Sequence, residues 1–257
     1  MVGSKQANAY CTKKFEIKFA DPFVYNNRIG NNEQRDKAVV NNDTKELLVK
    51  SIINTTNWLD SHGDVHIPGL WAKSISETKG LYLLQEHKMS FDKIISDEVT
   101  ASTQNFTFRE LGIDINGITQ ALVFDSVVQA SRNKYMYNQY LNGWVKNHSV
   151  GMRYVKIVMC VNDEDYGAEY EAWNKYITMV ANRNEAEDRG YFWAVTEAKI
   201  IEGSAVPIGS NIVTPTISVN DKAAEQGTFN IAEPPNGTLR QEQKEVINWE
   251  KIASIIN

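Results

Sequence analysis

The side chains able to do chemistry in this chain of 257 residues form a short inventory, headed by four histidines: His62, His66, His87 and His148. The sequence contains no glycine-rich phosphate cradle of the P-loop or dinucleotide type and no G-x-S-x-G nucleophile elbow. Cysteine-based zinc spacing is also absent, because Cys11 and Cys160 stand alone. His62 and His66 have the i, i+4 spacing that would put two imidazoles on one helix face. Gly63 lies between them and Pro68-Gly69 follows, so a turn carrying two polar loop histidines is the expectation. No metal site and no cofactor are expected, and a metal-dependent hydrolase built on this pair is the most distant reading.

His87 closes the apolar run Gly80-Leu-Tyr-Leu-Leu84, and Ser149 opens a strand-like stretch reaching Val161. A serine hydroxyl is a weak nucleophile near neutral pH and needs an adjacent base. The base must be oriented by a third group, which also stabilises its imidazolium. A pair of N–H donors must then meet the developing oxyanion. His148 adjoins Ser149, but neighbours on an extended strand point to opposite faces, so it is a poor base for that serine. A histidine from another strand, such as His87, could serve if the fold brings the two together.

The elements that must position these residues are mostly strands. Lys14–Phe19 alternates apolar and charged residues as a half-buried strand does. Residues 25–46 are crowded with Asn, Asp, Gln and Lys and read as a surface excursion. Strand character returns at Leu47–Ile53, Gly80–Leu84, Phe106–Phe108, Gln120–Phe124, Ser149–Val161, Tyr191–Ile201 and Ser204–Ile208. Two stretches switch to helical period. Ser131–Asn147 presents Tyr137, Tyr140, Leu141 and Trp144 on one face, and Glu169–Asn184 presents Trp173, Tyr176, Ile177 and Val180.

Residues 1–13 are expected as a flexible N-terminus, 14–219 as the folded domain, and 220–257 as a linker and tail. The linker reading rests on Asp221–Gly237, with its Glu233-Pro-Pro-Asn-Gly237. Leu239–Ile256 follows as a short amphipathic helix with Val246, Trp249, Ile252 and Ile256 on one stripe. The chain is long enough to build a hydrophobic core without disulfide or metal staples. Its 42% hydrophobic and 23% charged residues are those of a globular protein. A net charge of −5 argues against a general nucleic-acid binder. The uninterrupted apolar run Ile157–Val161, which no other exceeds, is far below the roughly 20 residues of a spanning helix. Neither nucleic acid nor membrane is therefore expected as a partner, and two isolated cysteines suit a reducing cytoplasm.

Four short motifs in order, between about Leu47 and Asn211, resemble the prohead serine proteases of tailed bacteriophages, maturation proteases related in fold to the herpesvirus assemblins. The first is Asn57-Trp-Leu-Asp60 with Gly63-Asp-Val-His-Ile-Pro-Gly69 and Ser74-Ile75, similar to a Gly-Asp, Pro-Gly and short-helix pattern. The second is Leu81-Tyr-Leu-Leu-Gln-Glu-His87, an apolar strand running into the family's catalytic histidine. Third comes Leu141-Asn-Gly-Trp-Val-Lys-Asn-His-Ser149-Val-Gly-Met152, ending in the nucleophile segment Ser-hydrophobic-Gly-hydrophobic. The fourth, Ile200-Ile-Glu-Gly-Ser204-Ala-Val-Pro-Ile-Gly-Ser-Asn211, is similar to a Glu-x-Ser strand followed by a proline and an asparagine.

The resemblance implies an α+β fold with an assemblin-like antiparallel β-barrel core surrounded by helices. It makes Ser149 the nucleophile, His87 the general base and Glu202 the third member, where assemblins place a second histidine. Glu86, Glu197 and Asp64 remain alternatives for orienting His87, with Glu86 the least suited because it adjoins that residue. The chain departs from the family after His87, where Lys88 and Phe91-Asp-Lys-Ile replace an acidic residue and a Pro-x-Gly turn. The paired arginines of the assemblin oxyanion hole have no counterpart after Glu202, so backbone N–H groups near Gly151 or in residues 202–206 are expected to act instead.

The implied activity is that of a serine endopeptidase acting in the host cytoplasm, inside the assembling procapsid of a bacteriophage. Its substrates would be scaffold and major capsid proteins and the protease's own termini, with the tail after residue 220 removed by self-cleavage. A homodimer is compatible with the resemblance, since assemblins are activated by dimerisation. The competing expectation is a structural or scaffolding virion protein that keeps the fold without proteolysis.

Overall fold

Strands outnumber helices in the computed structural model, which describes residues 45–221. The fold is mixed α+β, with 44% strand and 23% helix, and its sheets are not closed into a barrel. The expected strand at Lys14–Phe19, all but the last two residues of the 25–46 excursion, and the linker and tail helix after Asp221 lie outside the described residues; Glu46 instead opens the first strand.

The first sheet has the order β5-β6-β1-β9, with β1 at Glu46–Thr55, β5 at Val99–Thr107, β6 at Ile118–Gln129 and β9 at Thr216–Asp221. All its pairings are antiparallel. Leu47 and Val49 alternate with half-buried Leu48 and Lys50, and from Ser51 to Thr55 every residue is buried. A register shift between Ile52 and Asn54 in the β1–β6 pairing marks a bulge. Ile52 and Ile53 enter different apolar clusters, as neighbours on an extended strand do.

The second sheet is organised on β8, Tyr191–Val206, which is antiparallel to β7, Asn147–Val161, along almost its whole length. On its other side β8 carries two short parallel strands, β2 (Asp64–His66) and β3 (Leu83–Gln85), with β4 (Ile94–Ser96) beyond β3. The sheet is therefore mixed, which corrects the expectation of an antiparallel core. It also joins into one strand the two segments expected at Tyr191–Ile201 and Ser204–Ile208. Gly203 does not break β8; a Cβ there would lie 2.6 Å from the Phe124 ring and 3.1 Å from Ile53. It is a position of close approach between the sheets, a common role for glycine inside a strand.

The helices are shorter than their apolar periods suggest. A single turn, α1, spans Ala72–Glu77 after Pro68-Gly69. Helix α2 covers Lys134–Leu141 and is capped by Asn133, whose Oδ1 accepts from the Met136 N–H at 3.0 Å. Gly143 at φ +66° follows its C-terminus. Tyr137 and Tyr140 are buried as expected, but Leu141, the last helical residue, and Trp144, beyond the helix, are 55% and 63% exposed. The stretch expected as one helix at Glu169–Asn184 divides into α3 (Gly167–Tyr176), a 3₁₀ turn (Ile177–Met179) and α4 (Arg183–Arg189). Trp173, Tyr176, Ile177 and Val180 still pack together against Phe192 and Ala194 of β8. The largest core cluster joins the two sheets through Ile53, Phe124, Leu83, Ile200 and Ala205, beneath the residues of chemical interest.

Candidate active site

His87 reaches its position through an unusual turn. Strand β3 runs parallel to β8, and its last bonds are Glu86 N–H to Ala205 O and His87 N–H to Ser204 Oγ, both 3.0 Å. Glu86 and His87 then both adopt positive φ, +54° and +57°. Two consecutive non-glycine residues in this region cost about 1–3 kcal/mol each, and such strain persists only where the surroundings enforce it. The surroundings here are β8 and the carboxylate that β8 supplies.

That carboxylate is Glu202, only 3% exposed. Its Oε1 lies 2.6 Å from His87 Nδ1, and its Oε2 accepts from Ser204 Oγ at 2.6 Å. Ser204 thus accepts from the backbone of His87 and donates to the group that holds its ring. An ionised carboxylate can only accept, so Nδ1 donates, and in the neutral ring Nε2 keeps its lone pair. The hydrogen bond to Glu202 raises the His87 pKa above its ordinary value, outweighing burial, which acts the other way. The other carboxylates considered for this role are engaged elsewhere. Glu86 pairs with Lys88, Glu197 with Lys73 and Lys156, and Asp64 accepts from the Tyr154 hydroxyl.

Ser149 lies opposite Ser204 in the β7–β8 register, and two residues on, Gly151 lies opposite Glu202. The register slips between Gly151 and Met152, so a bulge adjoins the site. Gly151 is required by contact rather than by φ. A Cβ there would sit 2.8 Å from Glu202 Cδ and closer still to Oε1, so the carboxylate occupies the space a side chain would fill. Ser149 and His87 line one cavity of about 210 Å³. No hydrogen bond joins them directly, and such bonds are often loose before substrate binds. His148 does not line this cavity. It is fully buried, with Nδ1 3.1 Å from the Thr214 carbonyl and Nε2 3.0 Å from the Tyr140 hydroxyl. A carbonyl only accepts, so Nδ1 donates and Nε2 receives the phenol proton. Burial lowers its pKa to about 4, and the ring is neutral.

The same cavity is also lined by Asn54, Asp60, His62, Asp64 and His66. The segment His62–His66 is no loop pair: Asp64–His66 is a strand, and His66 is 1% exposed while His62 stays in the preceding turn. Asp60 shapes that turn, its Oδ1 accepting from the N–H groups of His62 and Asp64, both at 2.9 Å. Among the described residues no group of three or more His, Cys, Asp or Glu side chains is arranged to hold a metal ion. Cys160 is a buried free thiol, its pKa pushed up to about 12 by desolvation, and it lies outside the cavity. The signal that could have found His66 is its place two residues after Asp64, but its partner strand is distant in sequence.

The loop after β8 closes the cavity with Ser210 and Asn211. Asn211 ties it to β1, accepting from Thr55 Oγ1 at 3.1 Å and donating to the Thr55 carbonyl at 3.0 Å. A Cβ on Gly209 would lie 3.7 Å from Ser149 Cβ. Comparisons with protein-family models, with curated proteins and with solved structures find no match for this chain.

Proposed function

We propose that the chain is a serine endopeptidase of the prohead-maturation type, with Ser149 as nucleophile, His87 as general base and Glu202 as the group that orients His87. The observation that carries this reading is the 2.6 Å contact between His87 Nδ1 and a buried Glu202 that accepts a second hydrogen bond from Ser204. It leaves His87 Nε2 uncommitted, and His87 and Ser149 line the same cavity. The motif resemblance supplies the substrate class, which is scaffold and major capsid protein inside an assembling procapsid in the host cytoplasm. With it come cleavage of the chain's own termini and an assemblin-like homodimer.

In this reading Ser149 Oγ attacks the scissile carbonyl while its proton passes to His87 Nε2. Glu202 stabilises the imidazolium and keeps its tautomer, and His87 then delivers the proton to the leaving amine. Water, deprotonated by the same nitrogen, releases the acyl group. The Gly203 N–H of β8 is already bonded to the Tyr82 carbonyl at 3.0 Å, which disfavours it as an oxyanion donor. Within the described residues the N–H groups of Ile208, Gly209 and Ser210 make no hydrogen bond, and Gly209 lies beside Ser149. This loop is a better source of the donors the chemistry needs.

The test is to express the full chain with the phage's scaffold and capsid proteins, alongside Ser149→Ala and His87→Ala. The reading expects defined cleavage products with the wild type and none with either variant. Equal cleavage by wild type and Ser149→Ala overturns the mechanism. No cleavage by any form favours an inactive virion protein of the same fold.

A further inference from the structure

Beyond Ser149 and His87 the cavity ends in polar groups that the proposed chemistry leaves idle. Asn54 and His66, 2% and 1% exposed, both line it. Asn54 Nδ2 and His66 Nδ1 are 3.2 Å apart, while Asn54 Oδ1 and His66 Nε2 are buried without a partner. Burial lowers the His66 pKa to about 4, so the ring is neutral. If Asn54 donates, His66 Nε2 carries an idle proton and Asn54 Oδ1 is an idle acceptor; flipping the amide exchanges the two roles. In either state one buried donor and one buried acceptor lack partners, a rare condition in a native interior, and a bound cationic head can satisfy the acceptor.

Two carboxylates stand in the same cavity, Asp60 at 5% and Asp64 at 6% exposure. Asp60 commits Oδ1 to two backbone N–H groups, and Asp64 commits Oδ2 to the Tyr154 hydroxyl. Among the described residues Asp60 Oδ2 and Asp64 Oδ1 make no hydrogen bond or ion pair. No lysine or arginine among the described residues lines the cavity. Burial raises the Asp64 pKa, opposed by the Tyr154 hydrogen bond and by the Arg189 guanidinium, which packs over Gly63, where a Cβ would collide with it, without forming an ion pair. Ile53, Val150 and Met152 supply apolar wall. An acidic floor under an apolar wall fits a long side chain with a methylene stem and a cationic head. The attraction is strongest where water is excluded.

We propose that Asp60 and Asp64, with Asn54 and His66, form a substrate subsite that takes a lysine or arginine side chain flanking the bond cleaved at Ser149. The proposal rests on the peptidase reading of Ser149 and His87 and adds the residue type that reading leaves open.

Two measurements on the full-length chain test it and separate its failure from that of the peptidase reading. In the first, the wild type digests a proteome-derived peptide library and the new termini are mapped by mass spectrometry. Lysine or arginine is expected on one side of the cut, at least tenfold over background, and Asp64→Asn should lower that preference at least tenfold. Cleavage without basic preference overturns the subsite and leaves the peptidase standing. In the second, N-acetyl-arginine amide and N-acetyl-norleucine amide are titrated into Ser149→Ala, observing the His66 ring and Asn54 side-chain amide by NMR. Shifts with the arginine compound alone support the subsite even if no peptide is cut, in which case only the peptidase reading falls. Equal or absent response to the two compounds overturns the subsite, and this readout stands should Asp64→Asn fail to fold.

Discussion

The Glu202 carboxylate fills the volume directly over Gly151, the residue opposite it on β7, so the two positions share one side-chain space. The glycine two residues after Ser149 is therefore part of the geometry that lets a β8 carboxylate reach His87.

Gly151→Ala should accordingly act as a substitution in the site. The new methyl cannot share space with Oε1, and Glu202 is too buried to swing into solvent. Displacing it by about 1 Å from His87 is expected to lower kcat by about 100-fold, since misplacement of that size commonly has such an effect. Kinetics on the scaffold substrate, with circular dichroism to check folding, measure this. Wild-type turnover in a folded Gly151→Ala protein would refute the coupling.

How far such relationships can be read from sequence depends on how local their causes are. His87 at the end of an apolar strand and Ser149 at the start of another stand in recognisable local settings. Glu202 could be ranked against Glu86, Glu197 and Asp64 by resemblance, but its contact depends on the register of β7 against β8, slipped by a bulge. The role of Ser204 follows from the left-handed turn at His87, which no local propensity announces. His66 looked like a loop residue because Gly63 and Pro68-Gly69 dominate its neighbourhood. It is a strand residue only because β2 finds β8, more than a hundred residues away. Trp144 looked buried because its spacing continues a helical stripe, and Gly143 ends the helix first.

The pH dependence of cleavage should report the His87–Glu202 contact. Glu202 raises the pKa of His87, and only the neutral ring can take the serine proton. The acidic limb of kcat/KM should therefore have an apparent pKa above the usual value near 6.5. In Glu202→Gln the favourable charge is gone, so the limb should move to lower pH while the maximal rate falls. A limb that stays in place in the variant would show that another group sets it.

Ser204→Ala removes a hydroxyl that satisfies two groups at once, the backbone N–H of His87 and the buried Oε2 of Glu202. Leaving a buried acceptor unpaired costs about 1–3 kcal/mol. We expect a loss of stability of that order in urea unfolding, together with roughly a tenfold fall in kcat from a less firmly held histidine. Unchanged stability and rate would make Ser204 a bystander.

Acid stability should be governed by the two histidines buried as neutral rings. His66 and His148 have pKa values lowered to about 4 by burial, whereas the unfolded chain protonates them near 6.5. Between those values the unfolded state binds more protons than the native state, so stability falls as pH drops from about 6.5 to about 4 and then levels off. Each ring contributes about 3 kcal/mol to that fall. His87 works in the opposite sense and in a different window. Its raised pKa adds stability below its unfolded value, and this is lost as pH rises through the folded value. Urea midpoints at pH 7, 6, 5 and 4 should decline steadily, and His148→Gln should remove about half of the decline. The variant will also be less stable at pH 7, because Tyr140 and the Thr214 carbonyl lose their ring partner. An NMR titration of the wild type gives the direct test, since a His148 ring titrating near 6.5 would refute the account.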